Sequence, residues 1–186
     1  MGAILLLLAS GCELRQAMYD QQKYEPLEAS PFFADGMASR QPVPGTVAQG
    51  QLMLDDHLYK GTVDGQPATA LPAQIQAQPM AQLLDRGQAR YDIFCSPCHD
   101  RTGSGNGMIV QRGLKQPPSY HIDRLRDMPI GYYYDVMTNG FGAMYSYASR
   151  IPVEDRWAIA AYIRALQLSQ SVELERLPAE DQRQLQ

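Results

Sequence analysis

Apolar residues keep a helical period only in the second half of this chain. Leu84, Gly87, Tyr91 and Phe94 recur at spacings of three and four, which puts them on one face of a helix beginning near Met80. A second stripe, Ile159, Tyr162, Ile163 and Leu166, follows Pro152, and Glu154 and Asp155 sit in its first turn, where negative charge suits the helix dipole. Between the two, Pro129 opens a helix through Tyr132, Tyr133, Asp135 and Val136, which Asn139-Gly140 ends by supplying a left-handed residue. A glycine inside a helix costs about 1 kcal/mol relative to alanine, so Gly87 implies close approach of another helix. The last helix is the candidate.

Residues 13–79 show no sustained period and hold seven of the thirteen prolines, among much Gln, Ala and Gly. The one clear local element is Asp64-Gly65, which predicts a small hairpin between residues 58–63 and 66–71. Tyr19, Tyr24, Phe32 and Phe33 are scattered among turn formers, a composition that suits either a flexible tether or a segment lying along a partner with its rings as anchors. The expected architecture is an all-α domain over residues 80–170, preceded by an extended, largely irregular segment and followed by an exposed tail over 171–186. So small a domain buries little apolar surface by itself.

The net charge of −4 argues against a nucleic-acid binder and offers no basic face to anionic lipid. It suits either a partner with a positive surface or an ordinary solvated surface, since the charges are mixed along the sequence without long runs.

Cys95-Ser96-Pro97-Cys98-His99 carries the chemistry. Two thiols three apart, with a histidine directly after them, form the attachment site of a c-type haem: each sulfur adds across one vinyl group, and His99 becomes an axial iron ligand. A thioredoxin-like pair wants a βαβ surrounding, and a zinc knuckle wants four soft ligands, whereas the rest of the chain offers only Cys12, His57 and His121. One covalently attached haem c is therefore expected, filling much of the small core. The loop Gly103-Ser104-Gly105-Asn106-Gly107 lacks the Gly-Lys-Ser/Thr ending of a phosphate loop and reads as a tight turn beside the haem.

The sixth ligand decides between a carrier and an open, reactive iron. The candidates are Met108, Met128, Met137, Met144 and His121. Met144 lies past a helix stop in Asn139-Gly140-Phe141-Gly142-Ala143-Met144-Tyr145, where two glycines allow the backbone close to the ring, and His/Met ligation suits an electron carrier. A backbone carbonyl is also expected to accept from the second ring nitrogen of His99; Gln116-Pro117-Pro118 is the expected source, with Pro118 at the haem. His57 and His121 are assigned no role.

Residues 1–11 are an apolar run ending in small residues before Cys12, which reads as an export signal. The run resembles a bacterial lipoprotein signal, in which cleavage before the cysteine is coupled to lipid attachment. By that resemblance Cys12 is the lipidated first residue of the mature protein. The run is too short to span a bilayer, so the lipid would be the anchor. Export also suits thioether chemistry on the outer side of the cytoplasmic membrane.

Gly87, Tyr91, the Cys95 to His99 motif, Met144 and the helix from Trp157 to Leu166 together resemble a class I cytochrome c. The phrases Tyr24-Glu25-Pro26-Leu27-Glu28-Ala29-Ser30, Phe32-Phe33-Ala34-Asp35-Gly36, Gly45-Thr46-Val47-Ala48, Arg90-Tyr91-Asp92-Ile93-Phe94-Cys95 and Asp155-Arg156-Trp157-Ala158-Ile159 are similar to the monohaem cytochrome c lipoprotein subunit of bacterial alternative complex III, a membrane quinol-oxidising assembly. The resemblance runs from about Met18 to Gln170. It implies an electron-transfer subunit rather than an enzyme, lipid-anchored at the periplasmic face of the membrane. It further implies sister subunits as partners and a terminal oxidase or soluble cytochrome as acceptor. Two other readings stand beside it: an independent lipid-tethered carrier, and a haem enzyme with a displaceable Met144.

Overall fold

The computed structural model describes residues 18–173, 175 and 177–184, so the expected signal over residues 1–11 and Cys12 lie outside the described residues. The chain divides into two compact units, Met1–Leu52 and Met53–Gln186. In the first, turns replace regular elements. Ser30, buried, donates its amide to Gly36 at 2.9 Å, Ala29 bridges Met37, and Arg40 both pairs with Asp35 at 2.5 Å and lies 4.4 Å from the centre of the Phe33 ring. Phe32, Leu27 and Tyr19 remain exposed.

The second unit is mostly helical and begins at Met53. It opens with α1 (Asp56–Lys60), capped by the Asp55 carboxylate accepting from the Leu58 amide and closed by Gly61 in the left-handed conformation. The expected hairpin is present but shorter: β1 (Thr62–Val63) pairs with β2 (Gln66–Pro67) across Asp64-Gly65, both at positive φ. Residues 58–60 are helical instead, because Asp55 and Gly61 supply both ends of a helix there. α2 (Ala73–Gln76) buries Ile75.

α3 (Met80–Phe94) and α7 (Val153–Ser169) form the heart of the unit, with α4 (Ser96–His99), a single 3₁₀ turn at Val110–Arg112, α5 (Asp123–Arg126) and α6 (Ile130–Asn139) between them in sequence, and α8 (Ala179–Gln184) at the end. Pro79, Pro129 and Pro152 each immediately precede their helices. α3 crosses α7 at Gly87: a Cβ there would lie 2.2 Å from the Ala158 carbonyl oxygen and 2.9 Å from the Tyr162 Cβ. The expected partner of Gly87 is thus the one found. α3 buries Leu83, Gly87 and Tyr91, so Leu83 takes the place read for Leu84, which is half-buried. α7 is covered on nearly every side from Asp155 to Ala161, well beyond the stripe read from its period. Asp155 joins the helices again, accepting from Arg86 at 2.7 and 2.9 Å and pairing with Arg90 at 3.2 Å.

Residues 53–79 are tied to this pair by backbone groups, which leave no hydrophobic period to read. Trp157 donates from Nε1 to the Leu58 carbonyl at 2.8 Å while stacking on Tyr134 at 4.4 Å, and the Tyr134 hydroxyl donates to the Tyr59 carbonyl at 3.1 Å. The Gly131 amide donates to Ala68, and a Cβ on Gly131 would fall 2.2 Å from the Gly61 oxygen. The start of α6 therefore sits directly on the hairpin.

Candidate haem site

α3 delivers the motif. The Cys95 amide donates to the Tyr91 carbonyl at 2.8 Å, and the amides of Cys98 and His99 both donate back to the Cys95 carbonyl, at 3.1 and 2.9 Å. This helical winding places residues 95, 98 and 99 on one face. Both thiols are free. Burial, with a smaller contribution from Cys98, pushes the Cys95 thiol up to about 12, so it stays protonated and lacks the thiolate character of a thiol–disulfide catalyst.

Each carbonyl from Pro97 to Asp100 is engaged. Ile109 donates its amide to Pro97, Gly107 to Cys98 and Gly105 to His99, all at 3.0 Å, and the Tyr91 hydroxyl donates to Asp100 at 2.8 Å. The glycines allow this approach, since a Cβ at Gly107 would meet the Pro97 oxygen at 2.3 Å. What organises the loop is Asp100, at a φ of 54°. Its carboxylate accepts from the Thr102 amide and hydroxyl at 2.6 and 2.7 Å, the Ser104 amide at 3.3 Å, the Ser104 hydroxyl, and the Asn106 amide at 2.9 Å. Desolvation opposes its ionisation, but the donors of Ser104, Thr102 and Asn106 outweigh this and hold the carboxyl well below the usual 3.8. Nothing in the residue pattern marks this role beyond an Asp before a Ser/Gly loop.

A lowered carboxyl contributes stability that is present above its unfolded value and is lost as pH falls toward its folded value. Asp100→Asn keeps the shape and removes the charge. It is expected to lose about 1–2 kcal/mol at pH 7, a charge-assisted hydrogen-bond figure discounted for solvent screening. The gap from the parent should begin to narrow as pH falls through about 3.8 and shrink further toward the folded value; urea unfolding at pH 7 and at successively lower pH measures it.

The His99 ring stacks on Tyr120, centroids 4.7 Å apart and planes 9° from parallel. Burial holds the imidazole down to about 4, Asp100 only partly opposing, so it is neutral and able to ligate. Tyr120 is in turn fixed from α7, where the Gln167 side-chain amide donates to the Tyr120 carbonyl and to the Tyr133 hydroxyl, both at 2.8 Å. Tyr120 and Gln167 thus set the plane of His99, and sequence reasoning missed both because neither has a local signature.

The carbonyls of Gln116-Pro117-Pro118 are not among the hydrogen-bond partners of His99. His99 Nδ1 is buried and finds no hydrogen-bond partner among the described residues, and Pro118 is exposed. The Pro117 carbonyl lies instead against Gly105, where a Cβ would meet it at 2.4 Å.

Met144 is half-buried against the core. It closes a tight turn in which Phe141 and Met144 exchange amide-to-carbonyl bonds at 2.9 and 3.0 Å over Gly142-Ala143. Gly140 ends α6 at a φ of 82° but an extended ψ of 169°, not the left-handed cap expected. A Cβ there would meet the Met144 oxygen at 2.6 Å, so the glycine is what lets the loop turn back. The other candidates are placed differently: Met137 is buried within α6, Met108 is exposed, and a ring nitrogen of His121 bonds the Thr102 carbonyl at 2.7 Å. His57 bonds Ala70 and meets Trp157 edge-on.

Two free thiols and a neutral imidazole on one helical face, with a loop built to hug their backbone, fit a c-type haem as a donor set. No cluster of three or more His, Cys, Asp or Glu able to hold a metal ion is present among the described residues. Residues 82–163 match the family model described as cytochrome C oxidase, cbb3-type, subunit III. That match supports a class I cytochrome c domain. No curated protein matches the chain. A cytochrome c domain implies haem c binding and electron transfer rather than substrate catalysis, and such domains are typically extracytoplasmic. Among the described residues, no helix is long and apolar enough to cross a membrane.

Proposed function

We propose that this chain is the monohaem, lipid-anchored electron-transfer subunit of a quinol-oxidising membrane complex of the alternative complex III type, working at the periplasmic face and passing electrons toward a terminal oxidase or soluble cytochrome. The observation that carries the electron-transfer reading is the Cys95-Ser96-Pro97-Cys98-His99 face within a cytochrome c domain. The phrases between Tyr24 and Ala48 support the particular complex. Cys12 is the proposed lipid site, on the strength of the apolar run before it.

When bound, haem c supplies a one-electron iron couple. Cys95 and Cys98 would hold it through their sulfurs, and His99, kept neutral by burial and stacked on Tyr120, would supply an imidazole ligand to its iron. Met144 would supply the other, a soft thioether on a turn that Gly140 fastens to α6. A carrier needs both ligands to stay in place through the redox change, and this packing favours that over an enzyme with a displaceable methionine.

The exposed Tyr19, Leu27 and Phe32 of the first unit suit anchors on sister subunits. Native separation of solubilised membranes, stained for haem, is expected to place the chain with a large quinol-oxidising assembly. Deleting residues 18–52, which leaves the second unit whole, is expected to release it. Haem staining only at the mass of the free chain supports the independent carrier instead.

A further inference from the structure

α7 buries a charge that no carboxylate answers. Arg156 is 5% exposed and forms no ion pair among the described residues, where its Nε also finds no hydrogen-bond partner. Its chain neighbour Asp155 is committed to Arg86 and Arg90 of α3, and Glu154 is exposed. A buried cation is costly unless something offsets it. Here the offset is the end of α6. The guanidinium lies 4.8 Å from the centre of the Tyr134 ring and donates to the Thr138 hydroxyl in the last turn of that helix, where the dipole is negative.

Thr138 hands the constraint on. Its hydroxyl donates to the Tyr134 carbonyl at 2.7 Å, and its own carbonyl, among the last of α6 and so without a partner inside the helix, accepts from the Ser146 hydroxyl at 2.5 Å. The adjacent Met137 carbonyl accepts from the Tyr147 amide at 2.9 Å. Two consecutive carbonyls at the end of α6 therefore hold the limb that leaves Met144, and the guanidinium fixes the turn that aims them.

We propose that Arg156 is a positioning residue for Met144: through Thr138 and Ser146 it keeps the methionine turn closed, so that the thioether is not given up to a competing ligand. The proposal rests on the reading of Met144 as an axial ligand and adds the device that holds it there. A neutral side chain would fill the space beside Tyr134 without the cost of a buried charge, so packing alone gives no reason for arginine at 156. The Thr138 hydroxyl has one proton, already given to Tyr134, so only a donor from α7 can hold its oxygen from the other side.

The test follows oxidised, haem-loaded protein as added imidazole displaces the methionine, read as loss of the near-infrared methionine–iron band. Arg156→Gln is expected to lose the band at about tenfold less imidazole than the parent, the equivalent of one hydrogen bond to a charged group. Ser146→Ala is expected to shift in the same direction, and the double variant to go no further than Arg156→Gln, since both break one linkage. Arg86→Gln, which loosens α7 at its contact with α3, is expected to lower the urea midpoint while the imidazole titration stays at the parent's value. Hydrogen exchange at the Tyr147 amide, about tenfold faster in Arg156→Gln, reads the closure without reference to iron. Where Arg156→Gln does not accumulate, Arg156→Lys, which keeps the charge but loses the planar fork, is expected to shift the titration in the same direction. An Arg156→Gln titration that matches the parent's, effects that multiply in the double variant, or an equal shift in Arg86→Gln overturns the proposal. A parent without the near-infrared band sinks the Met144 reading instead, and exchange at Tyr147 then decides the clamp.

Discussion

Gly87→Ala is expected to lose about 2–3 kcal/mol of unfolding free energy, as overpacked helix contacts do. In an isolated helix the same change gains about 1 kcal/mol, so the sign itself separates the two cases. The new methyl group would lie 2.2 Å from the Ala158 oxygen and 2.9 Å from the Tyr162 Cβ, and the first of these is backbone that cannot rotate away. α3 and α7 must part at their crossing. The bonds from Arg86 to Asp155 span that crossing and lengthen with it. Since a domain holds about 5–15 kcal/mol in all, the larger Gly87→Val is expected to prevent accumulation of the haem protein altogether. Urea unfolding followed by Trp157 fluorescence measures the first, and haem-stained yield the second. An unchanged midpoint for Gly87→Ala contradicts the crossing.

Met144→Ala is expected to abolish the weak near-infrared band of a methionine–iron bond and to lower the midpoint potential. The drop is on the order of 0.1–0.3 V, a fraction of the ~0.8 V over which axial ligands set haem potentials. It is also expected to let cyanide or carbon monoxide bind at low concentration, which the parent resists. The fold should survive, because the turn is held by main-chain bonds between positions 141 and 144 and by Tyr147 donating to Met137, none of which needs the thioether. A band that persists in Met144→Ala moves the ligand to another residue. Met128, half-buried, is the next to replace.

What the sequence made legible was local. The two cysteines and His99 declare themselves by spacing, Gly87 by its cost, and the Met144 loop by a helix stop with two glycines. What stayed hidden depends on contacts far apart in the chain. Leu83 rather than Leu84 faces α7 because the crossing point, not the period, decides which flank is covered. Residues 53–79 belong to the helical unit through single hydrogen bonds from Trp157, Tyr134 and Gly131, and a main-chain acceptor leaves no trace in residue type. The same holds for Tyr120 against His99, placed by Gln167 from 47 residues away. The Pro117 carbonyl backs the loop at Gly105, a close approach that no residue type announces.

The most direct test is the mass of the peptide spanning Cys95 to His99 from protein matured in an exporting host. One porphyrin joined through both sulfurs is the predicted result. A peptide whose two thiols are unmodified and open to alkylation contradicts the account.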